Sequence, residues 1–299
     1  MTVLAAVLLF SGCRTSVKTQ VPESKVLVAK TATAEELISA YNEQATAVQS
    51  LNARVELNAV AGSAYSGVIE DYHDVRGFIL AQRPATVRMI GQAPVVAKNI
   101  FDMVSDGQTF RIFIPSKHKF IVGPTDLRRE TEKPIENLRP HHLVDALFWI
   151  EMPVSGSARP AVLFEEQDEF SSQTGQVTRR FYVFTVTGGT PATPEVARKI
   201  WFDRADLSVA RVQAYESGGR LVTDVHYADW QSADAVASGE PLRYPRFIRI
   251  ARPQDDYRLD VRITRLTMNE TITADRFQLA QPEGTDLVEL TSTGEVKRP

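Results

Sequence analysis

Apolar and polar residues alternate with a period of two in segment after segment of this chain, and small turn-forming clusters separate those segments at regular intervals. Leu259, Val261 and Ile263 against Arg258, Asp260 and Arg262 show the alternation without a break. A strand projects successive side chains to opposite faces, so this pattern places a greasy face against a core and a charged face in water. Further strands are expected at Arg54–Asn58, Tyr65–Tyr72, Gly77–Gln82, Thr86–Ile90, Asn99–Val104, Thr109–Ile114 and Lys119–Val122. The second and third are read as split by a polar turn at His73-Asp74. After a gap the strands resume at Val162–Gln167, Thr178–Thr187, Arg198–Asp203, Leu207–Tyr215, Leu221–Tyr227, Arg243–Ile250 and Tyr257–Leu266. Asp106-Gly107 and Ser217-Gly218-Gly219 carry hairpin-turn chemistry, and Pro115-Ser116-Lys117 makes another turn. So many evenly spaced strands predict a mainly β protein, an antiparallel barrel or strongly curved sheet.

Helices are few. Thr33 followed by Glu36 is a capping-box pattern, and Leu37, Tyr41, Gln44 and Val48 then recur at helical spacing, predicting a helix over Ala34–Ser50. A second helical stretch is expected over Pro134–Met152, with Leu138, Leu143, Leu147 and Ile150 on one face and a break at Pro140. Phe181-Tyr182-Val183-Phe184 is apolar on both faces, so a helix is expected to cover its outer side or fill the inside. The tail from Ala274 reads as a helical turn before Phe277 and then an extended end.

The N-terminus follows different rules. Val3 to Phe10 is an apolar run too short for the roughly 20 residues that span a bilayer. Ser11 and Gly12 follow it, then Cys13, the chain's one cysteine. An apolar run, small residues and a cysteine in that order fit an export signal over residues 1–12. No Lys or Arg precedes the run, which points to a start codon further upstream or a trimmed basic end. Residues 13–33 then read as the cysteine and a flexible polar tether, and residues 34–299 as one domain. Leu9-Phe10-Ser11-Gly12-Cys13 resembles the lipobox of bacterial lipoproteins, with Phe10 where Leu is usual. The resemblance implies that a diacylglycerol is attached to the Cys13 sulfur and that membrane lipid is its partner there. The residue after the cysteine is Arg14 rather than Asp, which in such lipoproteins implies the outer membrane, facing the periplasm. The competing reading is an unprocessed N-terminus with a buried cysteine.

Charge and chemistry narrow the function. The net charge of −3 supplies no basic field for nucleic acid, and no nucleic-acid partner is expected. No intrachain disulfide is possible with one cysteine. No G-x-S-x-G, P-loop or HExxH motif occurs, so neither an enzyme nor a bound cofactor or metal is expected. His141-His142 are adjacent and diverge on a helix, where metal ligands favour a spacing of three or four. His118 and His226 are expected in water, and Glu165-Glu166 with Asp168-Glu169 on a solvated surface. Arg128, Arg129 and Lys133 read as a charged loop, with lipid headgroups as the alternative partner.

The order of elements carries more than any one motif. "RPATVRM" (Arg83 to Met89), "FDMVSDGQTFRIFIPSKHKFIVG" (Phe101 to Gly123) and the closing phrase from Ile272 to Val288 resemble the periplasmic lipoprotein carrier and receptor family, LolA-like and LolB-like. That resemblance implies a half-open β-barrel with a few covering helices, and acyl chains of a lipoprotein or lipid in the space between. The expected lining comprises Leu57, Val87, Ile112, Leu147, Leu259, Val261 and Ile263. A periplasmic carrier protein is a further implied partner. Pro94, Val95 and Val96 are expected at a tip that enters the membrane, as in the receptor-like members; the alternative is a strand edge with buried valines. In the carrier branch a buried arginine holds the closed form, but Arg83 and Arg88 are read here as exposed strand-face charges. Three functions stand at this point: a membrane-anchored module that binds or transfers acylated cargo, an accessory lipoprotein that braces an envelope assembly, and, weakest, an enzyme on envelope polymers.

Overall fold

The computed structural model describes residues 28–63, 68–93, 98–126, 139–153, 161–172, 175–190, 192–235, 242–291 and 296–297. The export signal, Cys13 and the first part of the tether lie outside them, as do Pro94, Val95, Val96, Leu138, Arg128, Arg129 and Lys133.

Helix α1 spans Ala34–Ala47. Its start is the capping box: the Glu36 amide donates to Thr33 Oγ1 at 3.2 Å and the Thr33 amide donates to Glu36 Oε2 at 2.8 Å. It stops before Ser50 because Val48 turns to an extended conformation and the first strand begins. Six strands then run as a meander: β1 (Ser50–Ser63), β2 (Val68–Gln82), β3 (Thr86–Gln92), β4 (Asn99–Ser105), β5 (Thr109–Ile114) and β6 (Lys119–Pro124). Helix α2 (His141–Leu147) interrupts them. Seven more follow: β7 (Val162–Phe170), β8 (Val177–Gly189), β9 (Pro194–Asp203), β10 (Val209–Glu216), β11 (Arg220–Ala235), β12 (Leu242–Arg252) and β13 (Tyr257–Met268). After a 3-10 turn at Ala274–Phe277, β14 (Asp286–Leu290) and β15 (Val296–Lys297) end the chain.

Among the described residues all fifteen strands form one sheet, ordered β15-β14-β6-β5-β4-β3-β2-β1-β13-β12-β11-β10-β9-β8-β7. The first meander grows outward from β1. The second starts at the far edge with β7 and returns until β13 pairs with β1, Leu57 opposite Val261 and Ala59 opposite Leu259. The sheet is curved and does not close, since β7 and β15 at its two ends do not pair. The fold is thus mainly β, a half-open antiparallel barrel with covering helices, as expected. Its inner face is the core: Val55, Leu57, Met89, Leu259, Val261 and Ile263 are all buried together with Leu37 and Tyr41 of α1 and Leu143 and Leu147 of α2.

Two expectations change, and the structure chooses between the alternatives of a third. β2 runs unbroken through His73-Asp74: Asp74 takes a left-handed φ of 56° and its amide donates to Asn58 Oδ1 at 2.9 Å, so the polar pair makes a bulge instead of a turn. Of the second helical stretch, residues 134–138 lie outside the described residues; within these α2 is its helix, and Phe148 leaves it with an extended backbone, so Phe148–Met152 is not helical. Ile150, expected on a buried helical face, is 60 % exposed. Of the two arrangements expected at β8, the inner one holds, with Tyr182 and Phe184 in one core with Tyr41 of α1, and among the described residues no helix covers the outer side. Phe181 and Val183 instead join Trp201 and Ala210 in a small outer cluster, with the Arg179 guanidinium 4.8 Å above the Phe181 ring and Arg211 5.0 Å above Trp201.

Candidate functional site

The inner face is filled in one region and hollow in another. Where α1 and α2 lie against the second meander, aromatic rings occupy the space. Tyr41 stacks on Trp149 with centroids 5.1 Å apart, Trp149 meets Tyr227 and Trp230 at 5.6 Å each, and Phe202 packs against Tyr41 and Phe184. The polar tips of this plug are satisfied. The Tyr227 hydroxyl donates to the Ala146 carbonyl and the Tyr244 hydroxyl to the Leu147 carbonyl, both at 2.9 Å, which caps the orphan carbonyls of the short α2. Asn42 accepts from the Met152 amide at 2.8 Å and donates to its carbonyl at 2.9 Å.

Arg83 ties both helices to the sheet. Its Nη2 donates to the carbonyls of Ala45 (2.7 Å) and Trp149 (2.9 Å), its Nε donates to Val48 (3.0 Å), and its guanidinium lies 5.1 Å over the Phe148 ring. Burial lowers its pKa. This corrects the exposed reading: the cation at the C-terminal end of α1 sits where a helix dipole favours it and holds three carbonyls. Arg88 is also tied, to Asp102 by a bidentate pair at 2.7 and 3.0 Å and to the Arg276 carbonyl at 2.8 Å.

Beside the plug, under the first meander, the inner face encloses a cavity of about 220 Å³. Leu57 and Ala59 of β1, Val75 of β2, Met89 of β3, Met103 of β4, Ile112 of β5 and Ile121 of β6 form its walls, with Leu259 of β13, Ile100, Phe101 and Ile114 completing the apolar lining. Tyr72, Ser116 and Lys117 contribute the polar atoms. Gly91 makes room for one wall: a Cβ there would sit 2.4 Å from the Phe101 ring, so only glycine lets that ring lie flat across β3.

The lining named from sequence divides. Leu57, Ile112 and Leu259 border the cavity. Val87, Val261 and Ile263 are buried on the same inner face beside it, and Leu147 is buried in α2. Met89, Met103, Ile114 and Phe101 border it without having been singled out; alternation on β3, β4 and β5 was their available signal.

The histidines carry no site. His118 and His226 are exposed. His142 is buried with Nδ1 2.6 Å from the Tyr257 hydroxyl, and burial, aided by Arg252, His141 and Arg139, drives its pKa well below the ordinary value. Burial and the same two arginines push His141 down to about 4. Glu165, Glu166, Asp168 and Glu169 are exposed on β7. Among the described residues no group of three His, Cys, Asp or Glu side chains could hold a metal ion, and no helix is long and apolar enough to cross a membrane.

No family model and no curated protein sequence matches the chain. Solved structures align with most of it at low similarity. A LolA superfamily protein from Nitrosomonas europaea superposes with a TM-score of 0.44 at 13 % identity, covering 83 % of this chain and 99 % of that one. A DUF1329 family protein from Desulfovibrio piger gives 0.42 at 11 %, covering 82 % and 95 %. A protein domain described as outer membrane lipoprotein-sorting, from Vibrio parahaemolyticus, gives 0.41 at 11 %, covering 82 % and 97 %.

Proposed function

We propose that this protein is a lipoprotein of the cell envelope that binds and transfers acylated cargo, lipoprotein or lipid, through the cavity under its first meander. The observation that carries the reading is the cavity itself: about 220 Å³ with eleven apolar residues on its walls. Acyl chains make no hydrogen bonds, and each methylene removed from water contributes about 0.8 kcal/mol, so an apolar hollow suffices for affinity. Release needs only a better acceptor, and no bond is made or broken. The cavity lies below the roughly 300–1,000 Å³ of drug-sized sites. It therefore takes one slender chain, and a cargo with several chains requires the plug or the sheet edges to move.

The anchoring part of the reading rests on the N-terminal sequence. Acylated Cys13 would hold the protein at a membrane, in this reading the outer membrane on its periplasmic side. Pro94, Val95 and Val96, in the β3–β4 connection, would enter the bilayer during delivery, and a periplasmic carrier protein would be the donor.

A second reading, an accessory that braces an envelope complex, draws on strand β7. Among the described residues it pairs with β8 alone and exposes Leu163 and Phe170 at 60 % and Phe164 at 41 %, an edge to which another chain can add. Native mass spectrometry of the Cys13→Ser full chain purified from cells separates the two. The carrier reading expects a co-purifying lipid mass that delipidation removes. A bare chain mass with a stoichiometric protein partner sinks it in favour of the second.

A further inference from the structure

The cavity is polarised along its length. In an antiparallel meander the β1–β2, β3–β4 and β5–β6 connections all fall at one end of the strands. Two of the three polar lining residues, Ser116 and Lys117, belong to the β5–β6 connection, the 3-10 turn Pro115–Lys117. The third, Tyr72, sits near the β1–β2 end, opposite Ala59. Away from that end the walls are Leu57, Met89, Met103, Ile112, Ile121 and Leu259, without a polar side chain. Ser116 and Lys117 are exposed, so this is where the cavity meets water.

The charges at this end are not balanced pairwise. The Tyr72 hydroxyl donates to Glu70 at 2.9 Å, and Asp71 pairs with His73 at 2.9 Å. Lys117 has no ion-pair partner among the described residues, and Lys98 and Lys119 flank the adjacent connections at the same end. On the β1–β2 side the Tyr72 hydroxyl is taken up by the Glu70 carboxylate, and Lys119 lies opposite Asp286, so the cation and hydroxyl left for a ligand are those of Lys117 and Ser116 on the β5–β6 turn, and at the mouth of an otherwise oily hollow they match one kind of molecule.

We infer that the cavity takes a single-chain amphiphile with an anionic head, its chain against Met89, Met103 and Ile112 and its head at Ser116 and Lys117. This rests on the acyl-chain reading above and adds the head-group class and the chain count. The chain count and length follow from size: an apolar cavity of ~150 Å³ holds the six carbons of benzene, so about 220 Å³ holds one chain of roughly nine carbons and no bundle of acyl chains. The anionic head can be a carboxylate, as in a free fatty acid, or a phosphodiester, as in a lysophospholipid.

Displacement of a fluorescent medium-chain fatty acid from the delipidated full chain tests this, with decanoate, decanoyl lysophosphatidylglycerol and the neutral monodecanoylglycerol as competitors. One or both anionic probes compete better than the neutral one, and which of the two does so identifies the head. Lys117→Glu weakens that anionic competitor roughly fivefold or more, the scale of reversing a solvent-exposed ion pair, while monodecanoylglycerol stays within about twofold. Because Lys117 is exposed, the variant folds, and the unchanged neutral probe reports that it has. Equal competition by charged and neutral probes, unaffected by Lys117→Glu, overturns the head-group assignment and leaves the acyl-chain reading standing. Failure of all three probes to compete overturns both.

Discussion

The two halves of the inner face solve the same problem in opposite ways. A curved sheet that does not close must cover its apolar lining. Under β8 to β12 it is covered by α1, α2 and the Tyr41–Trp149 stack, with hydroxyls of Tyr227 and Tyr244 capping the helix that brings the rings in. Under β1 to β6 the described helices reach the sheet only at its margin, where Arg83 holds the carbonyls of Ala45, Val48 and Trp149, and the walls from Leu57 to Ile121 surround a cavity of about 220 Å³. Close packing contributes dispersion and burial together, whereas walls around a void forgo contacts on one side. The filled half therefore carries more of the stability, and the hollow half is the part that gains from a ligand.

That division predicts unequal costs. Trp149→Ala removes the ring that touches Tyr41, Tyr227 and Trp230 at once, and should lower unfolding free energy by about 3–5 kcal/mol in denaturant titrations. Fatty-acid displacement at the cavity should change far less, provided it is measured where the variant is still folded. If Trp149→Ala costs under about 1 kcal/mol, the plug is not the stabilising half and the comparison fails.

Much of this was legible beforehand, and the exceptions share a cause. The capping box at Thr33, the Asp106-Gly107 turn and the clean alternation of β13 are local signals, so α1, the β4–β5 hairpin and the inner face of β13 could be read directly. Alternation marks Leu57 and Ile263 alike as inward, yet one borders the cavity and the other is packed solid. Which it is depends on what lies opposite, set by the pairing of strands some two hundred positions apart, such as Leu57 with Val261. Arg83 was misjudged for the same reason: its carbonyl partners at Ala45, Val48 and Trp149 are far from it in sequence. The β2 bulge at Asp74 depends on Asn58 of the neighbouring strand, and looked like a turn without it.

The buried histidines of α2 add a second, smaller asymmetry. Both imidazoles are held neutral in the folded protein, His141 with a pKa pushed down to about 4 and His142 well below the usual value, by burial and by Arg252 and Arg139. The unfolded chain binds these protons near pH 6.5. Between that value and the folded values the unfolded state holds more protons, so stability falls as pH drops through this window. The raised pKa of the Asp145 carboxyl, caused by burial, acts in the opposite sense and offsets part of the loss. Thermal unfolding at about pH 5 should reveal roughly 2–4 kcal/mol less stability than at about pH 7.5, and His141→Gln should remove about half of the difference. A melting temperature independent of pH over this range, or unchanged pH dependence in His141→Gln, would mean that α2 does not hold its histidines neutral.

The hollow half makes the finest test, because filling it should help the fold and harm the function. Ala59 points inward from β1 towards its β1–β2 end and borders the cavity along with Leu57 and Leu259. Ala59→Phe puts a ring into space that the wild type leaves to a ligand. Cavity filling of this kind raises stability by about 0.5–2 kcal/mol when the ring fits, against a penalty of about 1–3 kcal/mol where a core is already tight. The expected result is a slightly higher melting temperature for the lipid-free protein together with loss of fatty-acid binding. The same ring placed in the aromatic half would meet Tyr41 and Trp149 and destabilise. A marked drop in melting temperature for Ala59→Phe would mean that the void is closed in solution, and binding that survives the substitution would put the ligand elsewhere.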